Sequence, residues 1–302
     1  MSDFVRISRR TFLRGGIAAA TGSFGLGGYA FAVEPHFRLI VQRWDLSLPS
    51  WPANYPPLRI AVLTDIHACE PWMPARRIER IVARTMRLNP DIVLILGDMV
   101  ASMERFGTQP VPPATWGRAL AGLKAPLGVH AVLGNHDWWS DVDAVLHGFD
   151  VAAIPVYENT AVRLRHRGRP FWLAGLGDQI AYPSGGGGFR GLDDLPGTLA
   201  QVINRAPVIL MAHEPDIFVD VPARVTLTLA GHTHGGQVNL PLIGSPMVPS
   251  AYGQRFVYGH IVEDDRHMVV SAGLGCSVMP VRFGRPPEIT LVTVRARPPV
   301  AV

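Results

Sequence analysis

Cysteine is scarce in this sequence. Among the 302 residues there are only two, Cys69 and Cys276, which is too few for the disulfide framework that stabilises small secreted domains. A structural zinc site built from several thiolates is disfavoured for the same reason. Both cysteines lie just after predicted strands, so two interpretations are open. Each is an unpaired core or loop residue, or the two side chains meet near a common site.

Lysine and excess charge are nearly absent as well. Lys124 is the only lysine, and the formal net charge is +4. Residues 1–32 contain four arginines and one aspartate, which leaves a net charge of only +1 for the remaining chain. We find no dense basic stripe with interleaved aromatic residues, so the sequence does not favour a nucleic-acid partner. The near-neutral remainder also disfavours binding to anionic cell-wall polymers.

A long and uninterrupted apolar run is missing from the N-terminus. Residues 15–31 are only weakly hydrophobic, and four glycines within residues 22–28 make this stretch a poor transmembrane helix. Paired arginines precede it at residues 8–13, and small residues at Ala30 and Ala32 match the positions that a signal peptidase recognises. We therefore predict a twin-arginine signal peptide over residues 1–32.

This predicted signal has consequences for location. The twin-arginine export machinery would be a partner of the chain, and the mature protein, residues 33–302, would reside in the periplasm or on the outer face of the cytoplasmic membrane. An uncleaved signal would tether the protein to that membrane or to the envelope. The route exports folded proteins, which suits an enzyme that acquires its metals in the cytoplasm.

The overall composition is that of a globular protein. Apolar residues make up 48% of the chain and charged residues 17%, and the length is sufficient for a large core. Apolar runs and helical spacing predict alternating strands and helices, followed by strands alone. The predicted strands are 37–45, 59–64, 91–96, 128–133, 154–157, 161–164, 170–174, 207–212, 225–230, 252–262, 267–272 and 288–295, and the predicted helices are 74–88, 116–123, 141–149 and 195–204.

From this order we expect one domain of the α/β class at residues 33–302. Two mixed β-sheets would pack as a sandwich flanked by helices. The elements at 59–64, 74–88 and 91–96 form a βαβ unit, which predicts parallel strands. The glycine-rich segment 175–191 is either a phosphate cradle or a mobile surface loop, and we favour the loop because no helix begins in the right place after it.

Polar side chains follow five of the predicted strands, at the point where each strand ends. In open α/β sheets, ligands bind in the crevice beyond the carboxyl ends of the strands. Five strand ends that present such side chains at one edge therefore predict a single site. The residues are Asp65, His67, Asp98, Asn135, His136, Asp137, His213, Glu214, His232 and His234.

Seven of these side chains form a candidate set of metal ligands. Asp65 and His67 are two apart, so both side chains can point to a shared ion. Seven ligands are too many for one ion but suit two divalent ions bridged by a carboxylate. Mixed imidazole and carboxylate ligands favour Mn, with Fe, Zn or Co as alternatives, over Ca or Mg. The set is Asp65, His67, Asp98, Asn135, His213, His232 and His234.

Together these motifs resemble those of the calcineurin-like metallophosphoesterases. The resemblance covers residues 58–295 and implies the metallophosphoesterase fold and a hydrolase of phosphoric ester bonds. Residues 213–216, 231–237 and 273–277 resemble the bacterial branch that includes YaeI and YkuE, which has twin-arginine-exported members. The motifs that carry the resemblance are Asp65 with His67, Gly97 with Asp98, residues 134–137, His213 and residues 231–234.

The resemblance also implies roles for the site residues. A hydroxide that bridges the two ions would attack phosphorus in line, and His136 would donate to the phosphate or to the leaving oxygen. Asp137 would orient His136, and Asp98 would bridge both ions. The remaining ligands would divide into Asp65, His67 and His234 for the first ion and Asn135, His213 and His232 for the second.

The chain departs from related enzymes after Gly97 and Asp98. Many phosphoprotein phosphatases carry an arginine shortly after this pair, and purple acid phosphatases carry a tyrosine that binds iron. Here residues 99–102 are Met, Val, Ala and Ser, so both are missing at that point. Arg282 has two interpretations: it supplies the missing positive charge, or it forms an ordinary salt bridge at the surface or the edge of the core.

The motifs leave the substrate open. We expect a phosphodiester first, because the resembled branch is associated with that activity, and a phosphomonoester second. Lipid-linked or UDP-diacylglucosamine-type pyrophosphates belong to the second group, although an exported enzyme would not meet the latter. Trp72, Trp138 and Trp139 flank the motifs and either bind an acyl chain or base, or pack internally. A metal-dependent envelope-binding protein with incidental catalysis is the alternative from a different class.

Overall fold

A computed structural model describes residues 25–298 of the chain. The paired arginines of the predicted signal peptide, Arg9 and Arg10, lie outside these residues. Across the described part of the chain, no helix combines the length and the apolar character needed to cross a membrane.

Most elements are short. The strands are β1 (Ile40–Leu48), β2 (Leu58–Leu63), β3 (Cys69–Glu70), β4 (Ile92–Leu96), β5 (Gln109–Pro110), β6 (Val129–Val132), β7 (Thr160–His166), β8 (Arg169–Gly175), β9 (Tyr182–Pro183), β10 (Phe189–Arg190), β11 (Val208–Met211), β12 (Leu227–Ala230), β13 (Gly259–Glu263), β14 (Arg266–Val270) and β15 (Glu288–Ala296). The α-helices are α1 (Glu34–Phe37), α2 (Ala75–Met86), α3 (Pro113–Leu120), α4 (Asn135–Trp138), α5 (Val142–Val151) and α6 (Leu195–Ala200). A π-helical turn covers Tyr29–Val33, and 3₁₀ turns cover Glu104–Phe106, Pro215–Val219, His234–Gly236 and Gly253–Phe256.

Two mixed sheets dominate the fold. The first has five strands in the order β1-β15-β2-β4-β6, in which β2, β4 and β6 run parallel and β15 runs antiparallel to β2. The second has six strands in the order β13-β14-β12-β11-β8-β7, with four parallel strands between the antiparallel edge strands β13 and β7. The predicted parallel pairing of β2 and β4 is therefore confirmed.

The main core lies between the two sheets. Successive residues of a strand point to opposite faces, and β4 is buried on both of them. Leu94 packs with Ile209 of the second sheet in the central cluster, whereas Ile95 packs outward with Trp116 and Phe149 of the covering helices. The expected fold class, a sandwich of two mixed sheets flanked by helices, is confirmed.

Three predicted strands differ in the structure. The first begins at Ile40 because a helical turn, α1, occupies residues 34–37 with Pro35 in its first positions. Residues 154–157 form only an isolated bridge between Ala131 and Val156, so this predicted strand is wrong. The strand predicted from residue 252 begins at Gly259, since a 3₁₀ turn precedes it.

The two cysteines lie in one buried apolar cluster with Ala101 and Met103. Neither forms a disulfide, and burial raises the pKa of the Cys69 thiol to about 11. The first interpretation, unpaired core residues, therefore describes them, although they do meet behind the predicted site.

Candidate metal centre

The structure brings the seven predicted ligands together at the carboxyl ends of five strands. β2, β4 and β6 of the first sheet lead to Asp65, Asp98 and Asn135, and β11 and β12 of the second lead to His213 and His232. The ligands are buried, apart from the half-buried His232. Because both sheets contribute, the donor set is complete only when the sandwich has assembled.

Five ligand residues have a left-handed backbone. Non-glycine residues rarely adopt positive φ, and strained conformations of this kind cluster at functional sites. Parallel backbone pairing holds the loops in place: the Asp65 N–H donates to the Gly97 carbonyl at 3.0 Å, and the His67 N–H donates to the Asp98 carbonyl at 3.0 Å. The φ angles are 52° for Asp65, 47° for His67, 58° for Asp98, 67° for His232 and 53° for His234.

Two glycines allow the ligands to approach each other. A Cβ at Gly134 would lie 2.4 Å from Asp98 Oδ1 and 2.7 Å from His213 Cε1. A Cβ at Gly231 would lie 2.7 Å from Asp65 Oδ2. Any other residue at these positions would push the donors apart, so both glycines are required by close approach.

The first donor group contains Asp65, His67, Asp98 and His234. One ligand atom from each lies within 4.8 Å of the others. His67 Nε2 is 3.1 Å from His234 Nε2 and 3.5 Å from Asp98 Oδ2, and His234 Nε2 is 3.4 Å from Asp65 Oδ1. The four atoms therefore converge on one point, as ligands of a single cation do.

The second donor group shares Asp98 with the first. Asp98, His213 and His232 also present ligand atoms within 4.8 Å of one another. His213 Nε2 is 3.2 Å from Asp98 Oδ2, and Asn135 Oδ1 is 3.0 Å from His232 Nδ1. Two groups that meet at one carboxylate have the arrangement expected for a dinuclear centre with Asp98 as the bridge.

Backbone carbonyls orient two of the imidazoles. The Nδ1 atom of His67 is 2.6 Å from the Val100 carbonyl, and that of His213 is 2.5 Å from the Leu96 carbonyl. Each Nδ1 must donate its proton there, which leaves Nε2 as the free lone pair. Carbonyl partners of this kind fix the tautomer of metal-binding histidines.

The protonation states suit cation binding. Burial lowers the pKa of His67 to about 3, and burial followed by repulsion from His213 lowers that of His232 to about 3. Burial alone would raise the pKa of Asp98, but attraction to His213 and other imidazoles holds it well below its ordinary value. At neutral pH His67 and His232 are thus neutral imidazoles and Asp98 is an ionised carboxylate, the forms that bind metals.

A buried atom without a partner supports the fit of a cation. His213 Nε2 is inaccessible and forms no hydrogen bond of acceptable geometry. Asp98 raises the pKa of His213 well above its ordinary value against the opposing effect of burial. In the protein without metal, a proton on His213 balances the negative charge of Asp98, and a divalent cation would take the place of that proton. The donor set, four imidazoles with two carboxylates and one amide oxygen, fits a pair of transition metals.

His136 lies beside the first donor group, and two serines flank its ring. Its ring centroid is 4.9 Å from that of His67. Ser102 Oγ is 2.8 Å from Nδ1, and Ser277 Oγ is 3.1 Å from Nε2. The motifs did not identify either serine. Ser102 occupies the region where related enzymes carry an arginine, and Ser277 ends a motif that we used only for the resemblance.

Asp137 makes contacts other than the expected one. Its buried carboxylate accepts backbone N–H bonds from Asp98 at 2.9 Å, Met99 at 2.8 Å and Gly134 at 3.1 Å. Burial and then repulsion from Asp98 raise the pKa of Asp137 to about 7, while these N–H donors oppose the rise. Among its hydrogen bonds in the described structure there is none to the His136 ring, so Asp137 shapes the loop after β4 instead.

Arg282 matches neither of its two interpretations. The side chain is fully buried and forms no ion pair with a carboxylate in residues 25–298. Its guanidinium donates to the carbonyls of Ala272 at 2.8 Å and Arg285 at 3.0 Å, and Nη2 lies 3.3 Å from His234 Nδ1. It therefore braces the loop after β14 beside the His234 ring, and its full burial keeps it from the open side of the site.

An aromatic wall adjoins His136. Trp139 lies 5.2 Å from His136 between ring centroids and stacks on Phe189 at 5.6 Å, and Trp138 packs edge-on against Tyr182. Tyr182 and Phe189 come from the β9–β10 hairpin, so the glycine-rich segment 175–191 contains a short two-stranded hairpin and not only a loop. Trp139 and Phe189 are 40% and 48% exposed, which leaves an apolar surface open at the site. Trp72 lies elsewhere, on the face beside α2.

Two further acids lie behind His213. Asp178, His213 and Glu214 present ligand atoms within 4.8 Å of one another. Burial and then repulsion from Asp178 raise the pKa of Glu214 well above its ordinary value, which favours the protonated form of Glu214. Asp178 follows β8, the same position after a strand that marks the other ligands, but it lies inside the segment that we assigned to a loop.

Comparisons with known proteins point to one family. Residues 58–236 match the family model described as Calcineurin-like phosphoesterase. The chain is 30% identical over 303 residues to the uncharacterized metallophosphoesterase YkuE of Bacillus subtilis, with 96% of this chain and 99% of the relative covered. It is 29% identical over 292 residues to the phosphodiesterase YaeI of Escherichia coli, with 95% and 98% covered. It is 28% identical over 316 residues to the UDP-2,3-diacylglucosamine pyrophosphatase LpxG of Chlamydia trachomatis, with 87% and 91% covered.

Proposed function

We propose that the substrate of this chain is a phosphodiester. The chain belongs to the calcineurin-like phosphoesterase family and is thus a hydrolase of phosphoester bonds. The observation that carries the proposal is the pair of donor groups that share Asp98. A relative that matches nearly the whole chain is named as a phosphodiesterase, which supports the diester over the monoester.

Two divalent cations complete the proposed centre. Asp65, His67 and His234 would hold one, Asn135, His213 and His232 the other, with Asp98 shared. When bound, such ions lower the pKa of water and stabilise the charge on a reacting phosphate. Mn is our proposal for the metal, because mixed imidazole and oxygen donors favour it over Ca or Mg, and Fe, Zn or Co are the alternatives.

His136 supplies the proton for the leaving oxygen in this proposal. The Ser102 hydroxyl forms a hydrogen bond with Nδ1 of His136 and fixes the orientation of its ring. The other nitrogen, Nε2, faces the hydroxyl of Ser277, which is half-buried. A substrate that displaces the Ser277 hydroxyl would meet Nε2 directly. General acid catalysis of this kind contributes about 10²–10⁴-fold to the rate.

The aromatic wall supports a substrate with an apolar arm. Trp139 and Phe189 present stacked and half-exposed rings within reach of His136. A phosphomonoester, including a lipid-linked ester or pyrophosphate, is the second candidate. A relative is named as a UDP-2,3-diacylglucosamine pyrophosphatase, although an exported chain would not meet that particular compound. A metal-dependent envelope-binding protein with incidental catalysis is the third, and it predicts bound metal without turnover.

We also propose that the chain is exported by the twin-arginine route, to the periplasm or the outer face of the cytoplasmic membrane. The paired arginines and the weakly hydrophobic stretch that follows them support this location. Replacement of Arg9 and Arg10 by lysine should retain the protein in the cytoplasm, as measured by cell fractionation. Unchanged export of that variant would contradict the twin-arginine route.

The test of the proposed function is hydrolysis of bis-p-nitrophenyl phosphate and p-nitrophenyl phosphate after chelation and after Mn is restored. We expect Mn to restore turnover with a preference for the diester. Asp98→Asn and His136→Ala should abolish it, whereas the matched exposed variants Asp143→Asn and His147→Ala on α5 should retain it. Preference for the monoester would indicate a phosphatase. Bound metal without turnover would contradict an enzymatic function and favour the metal-dependent envelope-binding protein.

A further inference from the structure

Helix α2 presents a row of arginines that form no ion pair in the described structure, although the exposed Glu79 lies on the same helix. Arg76, Arg80 and Arg84 follow one another at intervals of four residues, which places them on one face of the helix, and Arg87 continues the row. None of these four takes part in an ion pair or a side-chain hydrogen bond among residues 25–298, whereas Arg255, Arg266 and Arg295 elsewhere all meet carboxylates. The small net charge of the sequence hides this local basic face.

A groove runs between this row and the segment that precedes β1. Its volume is about 670 Å³, and the side chains that line it include five arginines and no acid. Trp72 lies in the groove with the His36 ring 4.3 Å away, and its indole N–H has no hydrogen-bond partner in the described structure. We call this feature the arginine groove; it is lined by His36, Phe37, Leu39, Pro71, Trp72, Pro74, Arg76, Arg77, Arg80, Ile81, Ala83, Arg84 and Arg87.

Exposed apolar side chains line the arginine groove or precede it in the chain. Phe37, in its wall, is 80% exposed, and Leu26, Phe31 and Val33 just before it are 58%, 42% and 40% exposed. The described residues that lead to Glu34, residues 25–33, contain no charged residue. Exposed apolar clusters beside polar residues mark interaction sites.

The segment that bears these apolar residues is fastened to the body of the protein. The Arg282 N–H donates to the Ala30 carbonyl at 2.9 Å, and the Arg285 N–H donates to Glu34 Oε1 at 2.8 Å. The buried Arg77 donates to the Trp72 carbonyl at 2.8 Å and also to the Pro35 carbonyl. The apolar residues and the arginine row therefore keep a fixed position relative to each other.

We propose that, in the chain that keeps its N-terminal segment uncleaved, the arginine groove and the exposed residues Leu26, Phe31, Val33 and Phe37 dock on an anionic phospholipid bilayer. The guanidinium groups would bind lipid phosphates, for which their planar donors are suited. The apolar side chains would enter the boundary between headgroups and acyl chains, as they do in proteins that lie on a membrane. Charge complementarity selects this occupant over a second copy of the chain, because two such faces would repel each other. The proposal does not depend on which ester the metal centre hydrolyses.

The test is co-sedimentation of the full chain with vesicles of phosphatidylcholine alone or with about a third of phosphatidylglycerol. Each basic residue near an anionic surface contributes about 1 kcal/mol, so Arg76→Gln, Arg80→Gln and Arg84→Gln together should weaken binding to the anionic vesicles on the order of 100-fold. The matched control removes the same charge from the β7–β8 hairpin through Arg163→Gln, Arg167→Gln and Arg169→Gln, and should weaken binding less than about threefold.

A second variant tests the apolar part. Phe37→Ser leaves the charge unchanged. Loss of an aromatic ring that is buried in the bilayer on docking should weaken binding roughly tenfold, and the variant should bind more weakly than the unaltered chain at high salt as well. Thermal unfolding of each variant establishes that the fold is kept. Equal losses in the two triple variants would overturn the proposal, since overall charge would then explain binding. Equal binding of the unaltered chain to neutral and anionic vesicles would overturn it as well.

Discussion

Ser102 lies in the loop after β4, with its hydroxyl 2.8 Å from His136 Nδ1. Asp137 was the residue expected to hold this ring, but its carboxylate is engaged by the backbone of the same loop. An exposed serine thus takes over the orientation of a histidine next to the metal ligands. A hydroxyl can serve either tautomer of the ring because it both donates and accepts.

The first prediction concerns this contact. Ser102→Ala should lower kcat for bis-p-nitrophenyl phosphate about fivefold with little change in KM, because one orienting hydrogen bond contributes about 1 kcal/mol. Ser102→Thr keeps the hydroxyl and should restore most of the rate. Steady-state kinetics with diesters of increasing leaving-group pKa will measure the effect.

The leaving-group series separates orientation from structure. If Ser102 orients the proton donor, the loss in Ser102→Ala should grow as the leaving group becomes poorer. Ser47→Ala, at an exposed position on β1, serves as the control and should match the unaltered protein throughout. A loss of the same size for every leaving group would contradict the assigned role.

The second prediction concerns protons that compete with the metal. Without metal, burial raises the pKa of Asp65 to about 7, and Asp98 raises that of His213 well above its ordinary value. Both groups hold protons at pH 6 and must release them when a cation binds, so affinity should fall as the pH falls. We expect Mn to bind at least tenfold more weakly at pH 6 than at pH 8. Competition with a fluorescent chelator, corrected for its own protonation, measures this, and equal affinity at both values would refute it.

At the scale of elements, the sequence predicted the ends of the strands that carry the site more accurately than it predicted the segments between those strands. Apolar runs that end in Asp, Asn or His placed Asp65, Asp98 and His213 at strand ends, because local pattern alone decides where a buried strand stops. The strand predicted at 154–157 failed since it has only the single partner Ala131. Sheet pairing is a long-range property that an apolar run cannot encode.

Contacts between distant segments could not be predicted for the same reason. Ser277 meets His136 across 141 positions of sequence, and Arg285 meets Glu34 across 251. Neither interpretation of Arg282 foresaw its burial, because most of its partners are backbone carbonyls, which carry no sequence signal. Only the folded chain brings these groups together.

The β9–β10 hairpin is the element that carries the third prediction. Phe189→Ala removes the ring that stacks on Trp139, and an aromatic contact contributes about 1 kcal/mol. We therefore expect kcat/KM for bis-p-nitrophenyl phosphate to fall roughly fivefold, chiefly through KM. A diester with methyl arms should be affected less than about twofold.

A matched variant controls for the loss of exposed apolar surface. Ile203→Ala lies outside the aromatic wall at a residue that is 81% exposed, and it should leave both substrates unaffected. An equal effect of Phe189→Ala on the two diesters would mean that the hairpin supports the fold of the site and does not contact the ester arm.

At the scale of the whole molecule, the metal centre joins the two sheets. Asp65 and Asp98 follow strands of the first sheet, and His213 and His232 follow strands of the second. A cation bound between them links the two layers at the end of their shared core. In the unfolded chain these ligands are scattered over 170 positions from Asp65 to His234, so binding requires the assembled sandwich.

The fourth prediction follows from this arrangement. A ligand that binds only the folded state at 100 times its Kd stabilises it by about 2.7 kcal/mol, and in a domain of this size each kcal/mol raises Tm by about 2–4 °C. Mn at that excess should therefore raise the Tm of the chelated protein by about 5–10 °C, as measured by calorimetry. Asp98→Asn removes the ligand that both groups share and should abolish the shift, whereas Asp143→Asn on α5 should keep it. A full shift in Asp98→Asn would place the stabilising cation away from the strand ends, and the two sheets would then be joined by their apolar core alone.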